Sequence, residues 1–199
     1  ELKAGRDFQA RRALNHLIML GGKKEKKRER RMSNKNIFGT RLEPCRRAGS
    51  SDRRGSWDSD GMCSDGGASD PGVHQICFDV RDDLKQFSEE TFHSNWSEER
   101  LGKRHCMCLG AYALFKARQD AGETKSTEGE LFCHGIPESA LSERYLRNWK
   151  TWNGHEEKYE LSDKYRVGLD ALCNQCSDQA RDDAERESLR SACALARSR

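Results

Sequence analysis

The chain has 199 residues, 35% of them charged and 34% hydrophobic, where ordinary soluble domains carry about 25% charged residues. Leu, Ile, Val and Phe together number 31, too few to line a core as long as the chain, so part of it is expected to be tail or partner-dependent surface. No apolar run approaches the ~20 residues of a helical bilayer span, which excludes an integral helical membrane protein. The net charge of +3 conceals a division: residues 1–40 hold 12 Lys/Arg against 4 Asp/Glu, and the remainder is slightly acidic. A basic arm on an acidic body points to electrostatic docking on something anionic. The first residue is Glu1 rather than Met, and a processed or trimmed chain is the expectation.

Three parts follow in order. Residues 1–35 read as a basic arm. Asp7 caps a short helix whose apolar stripe includes Leu14, Leu17 and Ile18, and Gly21-Gly22 stops it. The run Lys23, Lys24, Lys26, Lys27, Arg28, Arg30 and Arg31 comes next. A helix this short is marginal alone, so its stripe is expected to seek a partner.

Residues 36–176 read as the folded domain. Arg46 to Gly72, rich in Gly, Ser, Asp and Arg, is a long loop holding Trp57 and Cys63. Val73 to Val80 alternates as a strand, with His74, Ile76, Phe78 and Val80 on one face and Cys77 on the other. Asp82 to Glu90 reads as a short helix with Leu84 and Phe87 inward. Cys106 to Arg118 has the strongest helical pattern, through Cys108, Tyr112 and Phe115. Leu131 to Gly135 reads as a short strand. Leu141, Tyr145, Trp149 and Trp152 share a helix face capped near Ser142, and Leu161, Tyr165, Leu169, Leu172, Cys173 and Cys176 share another. Residues 177–199 read as a helical tail that is polar on nearly every side. With 3 Val and 4 Ile in the chain, a large sheet is excluded. The fold class is therefore α+β: a small domain with short strands and several helices, flanked by extensions.

Nine cysteines are many for this length. Cys106 and Cys108 fall where a helix begins, a position that lowers a thiol's pKa. With Cys77 and His74 they form the candidate metal set, and thiolate with imidazole suits zinc or iron. The spacing is C-x-C rather than the C-x2-C of a zinc ribbon. Cys173-x-x-Cys176 has thiol-exchange spacing, but its amphipathic setting reads more simply as packing. Most of the cysteines are expected to be packed and reduced, because a disulfide framework requires an oxidising compartment. No G-x-S-x-G, H-E-x-x-H, P-loop or G-x-G-x-x-G is present.

Several blocks resemble a known family. Asn36-Ile37-Phe38-Gly39-Thr40-x-Leu42-x-Pro44-Cys45, Asp60-Gly61-Met62-Cys63, Gly72-Val73-His74-Gln75-Ile76-Cys77 and Gly102-Lys103-Arg104-His105-Cys106-Met107-Cys108-Leu109-Gly110-Ala111 are similar to domain-of-unknown-function family 2237. Ile136-Pro137 through Trp149-Lys150-Thr151-Trp152-Asn153-Gly154 and the 161–176 helix resemble its longer plant and algal form. The resemblance covers about residues 36–176 and marks Cys45, Cys63, His74, Cys77, Cys106 and Cys108 as matching positions. It implies a lineage and no established activity.

The functional expectation is a non-catalytic accessory or linker subunit, docked peripherally on a larger assembly by its terminal extensions. The partner would offer an acidic or apolar face, and an anionic membrane surface is a further option. Nucleic acid is disfavoured, because no aromatic residues interleave with the basic run. The algal resemblance points to a photosynthetic membrane complex on the stromal side of a plastid, with the cytoplasm as the other location. The rival expectation is a zinc- or iron-binding or thiol-redox enzyme centred on Cys106 and Cys108.

Overall fold

Two four-residue strands, too short to stand alone, lie at the centre of the folded unit and depend on helices and cross-links around them. In the computed structural model, residues 34–64, 73–81, 87, 95–123, 131–150 and 165–199 are described. Among them are β1 (Ile76–Asp79), α1 (Trp96–Glu99), β2 (Arg104–Met107), α2 (Leu109–Asp120), α3 (Glu143–Trp149), α4 (Tyr165–Ser177) and α5 (Asp183–Arg197). The architecture is α+β, as expected. All but one of the described residues belong to one unit, Lys35–Arg199. No described helix is long and apolar enough to cross a membrane.

β1 and β2 are antiparallel, with Ile76 opposite Met107, Cys77 opposite Cys106, Phe78 opposite His105 and Asp79 opposite Arg104. The alternation across Val73 to Val80 is real, yet both faces are covered: Ile76, Cys77 and Phe78 are all fully buried. Cys106 and Met107 belong to β2 rather than to a helix, and α2 starts after Cys108, its N-cap. The i, i+4, i+7 pattern of Cys108, Tyr112 and Phe115 is correct for α2. The two residues before it are drawn into a strand by pairing with β1, which local periodicity does not report.

Leu131 to Gly135 also differs from the expected strand. Only Leu131 makes a bridge, to Phe78, and Cys133–Gly135 is a 3-10 turn. Side-chain amides take the place of a partner strand: Gln179 donates to the Leu131 carbonyl at 2.7 Å and accepts from the Cys133 N–H at 3.1 Å. A second 3-10 turn, Glu138–Leu141, leads into α3.

Aromatic side chains join sheet to helices. Phe78 packs edge-on against Phe115 (5.7 Å) and Tyr112 (6.1 Å), and Tyr112 against Trp149 (6.2 Å). Trp149 is fully buried and donates its indole N–H to the Ala140 carbonyl at 2.8 Å, which satisfies its polar atom. α4 buries the stripe read from its sequence, Tyr165, Leu169, Leu172, Cys173 and Cys176, against α2. There Gly168 permits a close approach: a Cβ on it would stand 2.7 Å from the Ala113 Cα.

α5 is helical, as the polar tail was expected to be, but it has an inner face, where Leu189, Cys193 and Ala196 are buried against α4. Asp182 caps it by accepting from the Glu185 N–H at 2.8 Å. The Glu185 carboxylate is buried, where it accepts from the Arg181 N–H (2.8 Å) and Thr40 hydroxyl (3.1 Å) and meets His134 Nε2 at 3.2 Å. Burial opposes ionisation of Glu185, but these donors outweigh it and hold its pKa below the ordinary value. Thr40, the His134 turn and α5 therefore converge on one carboxylate. Trp152, Leu161 and the 82–90 helix apart from Phe87 lie outside the described residues, as does the arm up to residue 33.

Candidate functional site

The site is built around sulfur. Cys77 and Cys106 face each other across β1 and β2, but each is bonded to a loop cysteine: Cys45–Cys77 and Cys63–Cys106. Two more disulfides, Cys133–Cys176 and Cys173–Cys193, tie the 3-10 turn to α4 and α4 to α5. The expectation that most cysteines are packed holds, while the expectation that they are reduced is corrected. Eight of the nine are in disulfides, all buried, and Cys108 is the one outside a disulfide and is also buried. The physical reason lies in the scarcity of aliphatic side chains: short strands and helices with narrow apolar faces are held by cross-links where a larger core would otherwise hold them.

The two cystines on the sheet are close neighbours. The Sγ atoms of Cys45, Cys63 and Cys77 lie within 4.8 Å of one another, and Cys106 is bonded to one of them. Cys108 and His74 are not in that group, so the candidate set Cys77, Cys106, Cys108 and His74 does not converge as a unit in this oxidised state. A disulfide sulfur has no thiolate charge to offer a metal. Only reduction would turn Cys45, Cys63, Cys77 and Cys106 into the four-thiolate donor set that zinc or iron prefers.

The neighbouring histidine is set by its surroundings. His105 on β2 is buried, stacked on Trp96 with ring centres 4.5 Å apart and planes 7° from parallel. Burial, reinforced by the charges of His74 and Arg100, pushes its pKa down to about 3, so it is a neutral ring near pH 7. Its Nε2 lies 3.4 Å from the Ser56 hydroxyl.

The cystines also fix a loop. The segment between Cys45 and Cys63 is anchored at one end to β1 and at the other to β2. Between these posts, the Cys106 N–H donates to the Gly55 carbonyl at 2.7 Å. Gly55 is required because Trp57 folds back over it: a Cβ there would fall 2.0 Å from the indole. Sequence reasoning missed the pairing itself. The available signal was a count of nine cysteines, but with the odd one unknown the pairings far exceed even the 105 connectivities that eight cysteines allow. The docking residues Leu14, Leu17, Ile18, Lys23, Lys24, Lys26, Lys27, Arg28, Arg30 and Arg31 lie outside the described residues. Compared with family models, with curated proteins and with solved structures, the chain gives no match.

Proposed function

We propose that the protein is a non-catalytic accessory subunit: a disulfide-stapled body that its basic N-terminal arm holds at the periphery of a larger assembly. The observation that carries this reading is the use of the sulfur. Eight cysteines are committed to four buried cross-links, and the ninth is enclosed, whereas thiol catalysis requires an accessible thiolate. Cross-links of this density suit a part whose task is to hold a surface in shape with little apolar core beneath it.

The arm supplies the attachment in this proposal. Leu14, Leu17 and Ile18 form an apolar stripe and Lys23 to Arg31 a basic run, which together match a partner with an apolar groove and an acidic rim. A photosynthetic membrane complex is the host to which the resemblance to the plant and algal family points. Membership of that family is part of the same proposal, supported by its cysteine blocks, which contain the four cysteines that cross-link the sheet and its loop. Four disulfides favour an oxidising face, such as a lumen, over a reducing stroma or cytoplasm.

The test is co-purification of tagged full-length protein and a variant lacking residues 1–31 from native membranes. The full chain is expected to travel with a large complex and the shortened one to be released. Unchanged co-purification refutes the docking role of the arm.

The clustering of Cys45, Cys63 and Cys77 sulfurs within 4.8 Å favours a second reading, in which the reduced protein binds zinc or iron there. Metal analysis of protein reduced and reloaded with zinc decides it. Near-stoichiometric zinc, abolished by Cys106→Ser, supports this reading, and its absence removes it.

A further inference from the structure

Beside the cystines, the anchored loop and the β2 end of the sheet enclose a cleft of about 460 Å³, a size within the range of small-molecule sites. Its walls carry six cationic side chains, Arg47, Arg53, Arg54, Arg100, Lys103 and Arg104, against one carboxylate, Asp52. Asp79 adds a second carboxylate, paired with Arg47 at 2.9 Å and Arg104 at 3.5 Å. Even with both counted, cations outnumber anions three to one. Asp52 cannot neutralise the wall, since it is already shared among Arg100, Arg54 (3.7 Å) and Lys103 (3.9 Å).

The hydrogen-bond inventory points the same way. Arg100 is 2% exposed, held by Asp52 through one guanidinium nitrogen, by the Arg104 carbonyl through another, and over the Trp57 ring at 5.2 Å. Its Nε has no hydrogen-bond partner, and the same is true of Trp57 Nε1, whereas Arg104 Nε faces Asp79. Both are N–H donors, and both residues line the cleft. Buried donors without acceptors are rare in native proteins and call for a reason. The same wall thus joins an excess of positive charge to a surplus of N–H donors, which favours a ligand made of acceptors and carrying negative charge.

We infer that this cleft binds a phosphate monoester group. Arginine's planar fork matches phosphate oxygens in pairs, and here the buried Arg100 is fixed in advance by Asp52, the Arg104 carbonyl and Trp57, so little order remains to be lost on binding. More exposed cations at the rim, Arg54 and Lys103, draw the dianion in. Ser50 and Ser51 in the lining add hydroxyl donors. The volume leaves room for the organic part of the ester beyond the phosphate. The group reaches the cleft on a soluble metabolite or on a lipid headgroup, and the inference is independent of the arm's docking.

The experiment uses the full oxidised chain. Inorganic phosphate and glycerol 3-phosphate are titrated calorimetrically at low salt, and flotation is measured with phosphatidylcholine vesicles with and without phosphatidic acid. The expected result is saturable binding of glycerol 3-phosphate, weakened at least about tenfold by R54E/K103E, because each close cation–anion contact is worth roughly a decade in affinity at intermediate screening. R186E/R190E, which reverses two cations on α5, is expected to leave binding unchanged. Both variants are checked for one free thiol and a wild-type circular dichroism spectrum. Flotation that free glycerol 3-phosphate fails to compete assigns the lipid as the source, and binding of the free ester without flotation assigns the metabolite. Both support the phosphate site. No binding of any phosphate, equal loss in both variants, or preference for an acidic peptide over every phosphate overturns it.

Discussion

Replacing Cys173 and Cys193 together by Ala removes the shortest cross-link, which closes a loop of 20 residues between α4 and α5. The chain-entropy account gives a loop of that size about 3 kcal/mol, and the 43-residue loops closed by Cys63–Cys106 and Cys133–Cys176 about 4 kcal/mol each. Domains of this kind have a total stability of roughly 5–15 kcal/mol. One missing cross-link therefore leaves a folded but weakened protein, whereas reduction of all four removes as much as the whole. Urea unfolding followed through the buried Trp149 measures this, with extrapolated free energies compared because an uncrosslinked denatured state also steepens the denaturant dependence. The variant is expected to lose about 3 kcal/mol while keeping a cooperative transition, and the wild type is expected to unfold in reductant without urea. A loss below about 0.5 kcal/mol would show that the Leu189 and Ala196 packing and the Glu185 hydrogen bonds hold α5 without the cystine, and the argument from cross-links would fail.

Gly168→Ala is expected to cost about 1–2 kcal/mol although alanine is the better helix former, because overpacking against the Ala113 Cα at 2.7 Å outweighs the propensity gain. Ala113→Gly is not expected to rescue it, since the obstructing atom is main chain; a stabilised G168A by thermal melting would refute the close helix approach. His105 has a folded pKa of about 3 against an ordinary 6.5, so the unfolded chain binds its proton first. The stability it contributes is whole above pH 6.5 and falls as pH drops toward 3, by about 2 kcal/mol between pH 7 and pH 5. That window lies above the range of the carboxylates, and unfolding curves at the two pH values should show the loss in wild type and not in His105→Gln.

What the sequence makes legible is what is local. The α4 stripe from Tyr165 to Cys176 and, on α3, Tyr145 and Trp149 are found where their spacing places them, because they carry large side chains, whereas Leu141 falls in the 3-10 turn before α3. α5 was harder to read for a definable reason. Its inner face is Leu189, Cys193 and Ala196, correctly spaced at i, i+4 and i+7, but two of the three are small and add little hydrophobic weight. The stripe looks polar until the cystine to Cys173 is known. β2 was misread for the opposite reason: its residues continue a good helical pattern, and only pairing with β1, some thirty residues earlier, makes them a strand. The candidate site divides in the same way. Cys77 and Cys106 are singled out by the sequence and do stand opposite each other, while their true partners, Cys45 and Cys63, lie 32 and 43 residues away.

The cleft and the cystines belong to one design. Arg47, Arg53 and Arg54 sit on a Gly/Ser-rich stretch that by composition has no reason to hold a shape. Arg100, Lys103 and Arg104 come from the turn into β2, about fifty residues later. Bringing like charges together is unfavourable, and a free loop would relieve the repulsion by moving away. This loop is prevented from doing so because Cys45 ties its start to β1, Cys63 ties its end to β2, and Gly55 accepts the Cys106 N–H at its middle. Asp52, its carboxyl held below the ordinary range chiefly by the Arg54 N–H, and further by Arg100 and Lys103 against the effect of burial, stays ionised and links the two sets of cations. The cross-links that compensate for a thin core thus also hold a concentrated positive surface in place. An anion site and a disulfide framework are therefore coupled in this body: the charge gives the cleft its preference, and the sulfur gives the charge its position.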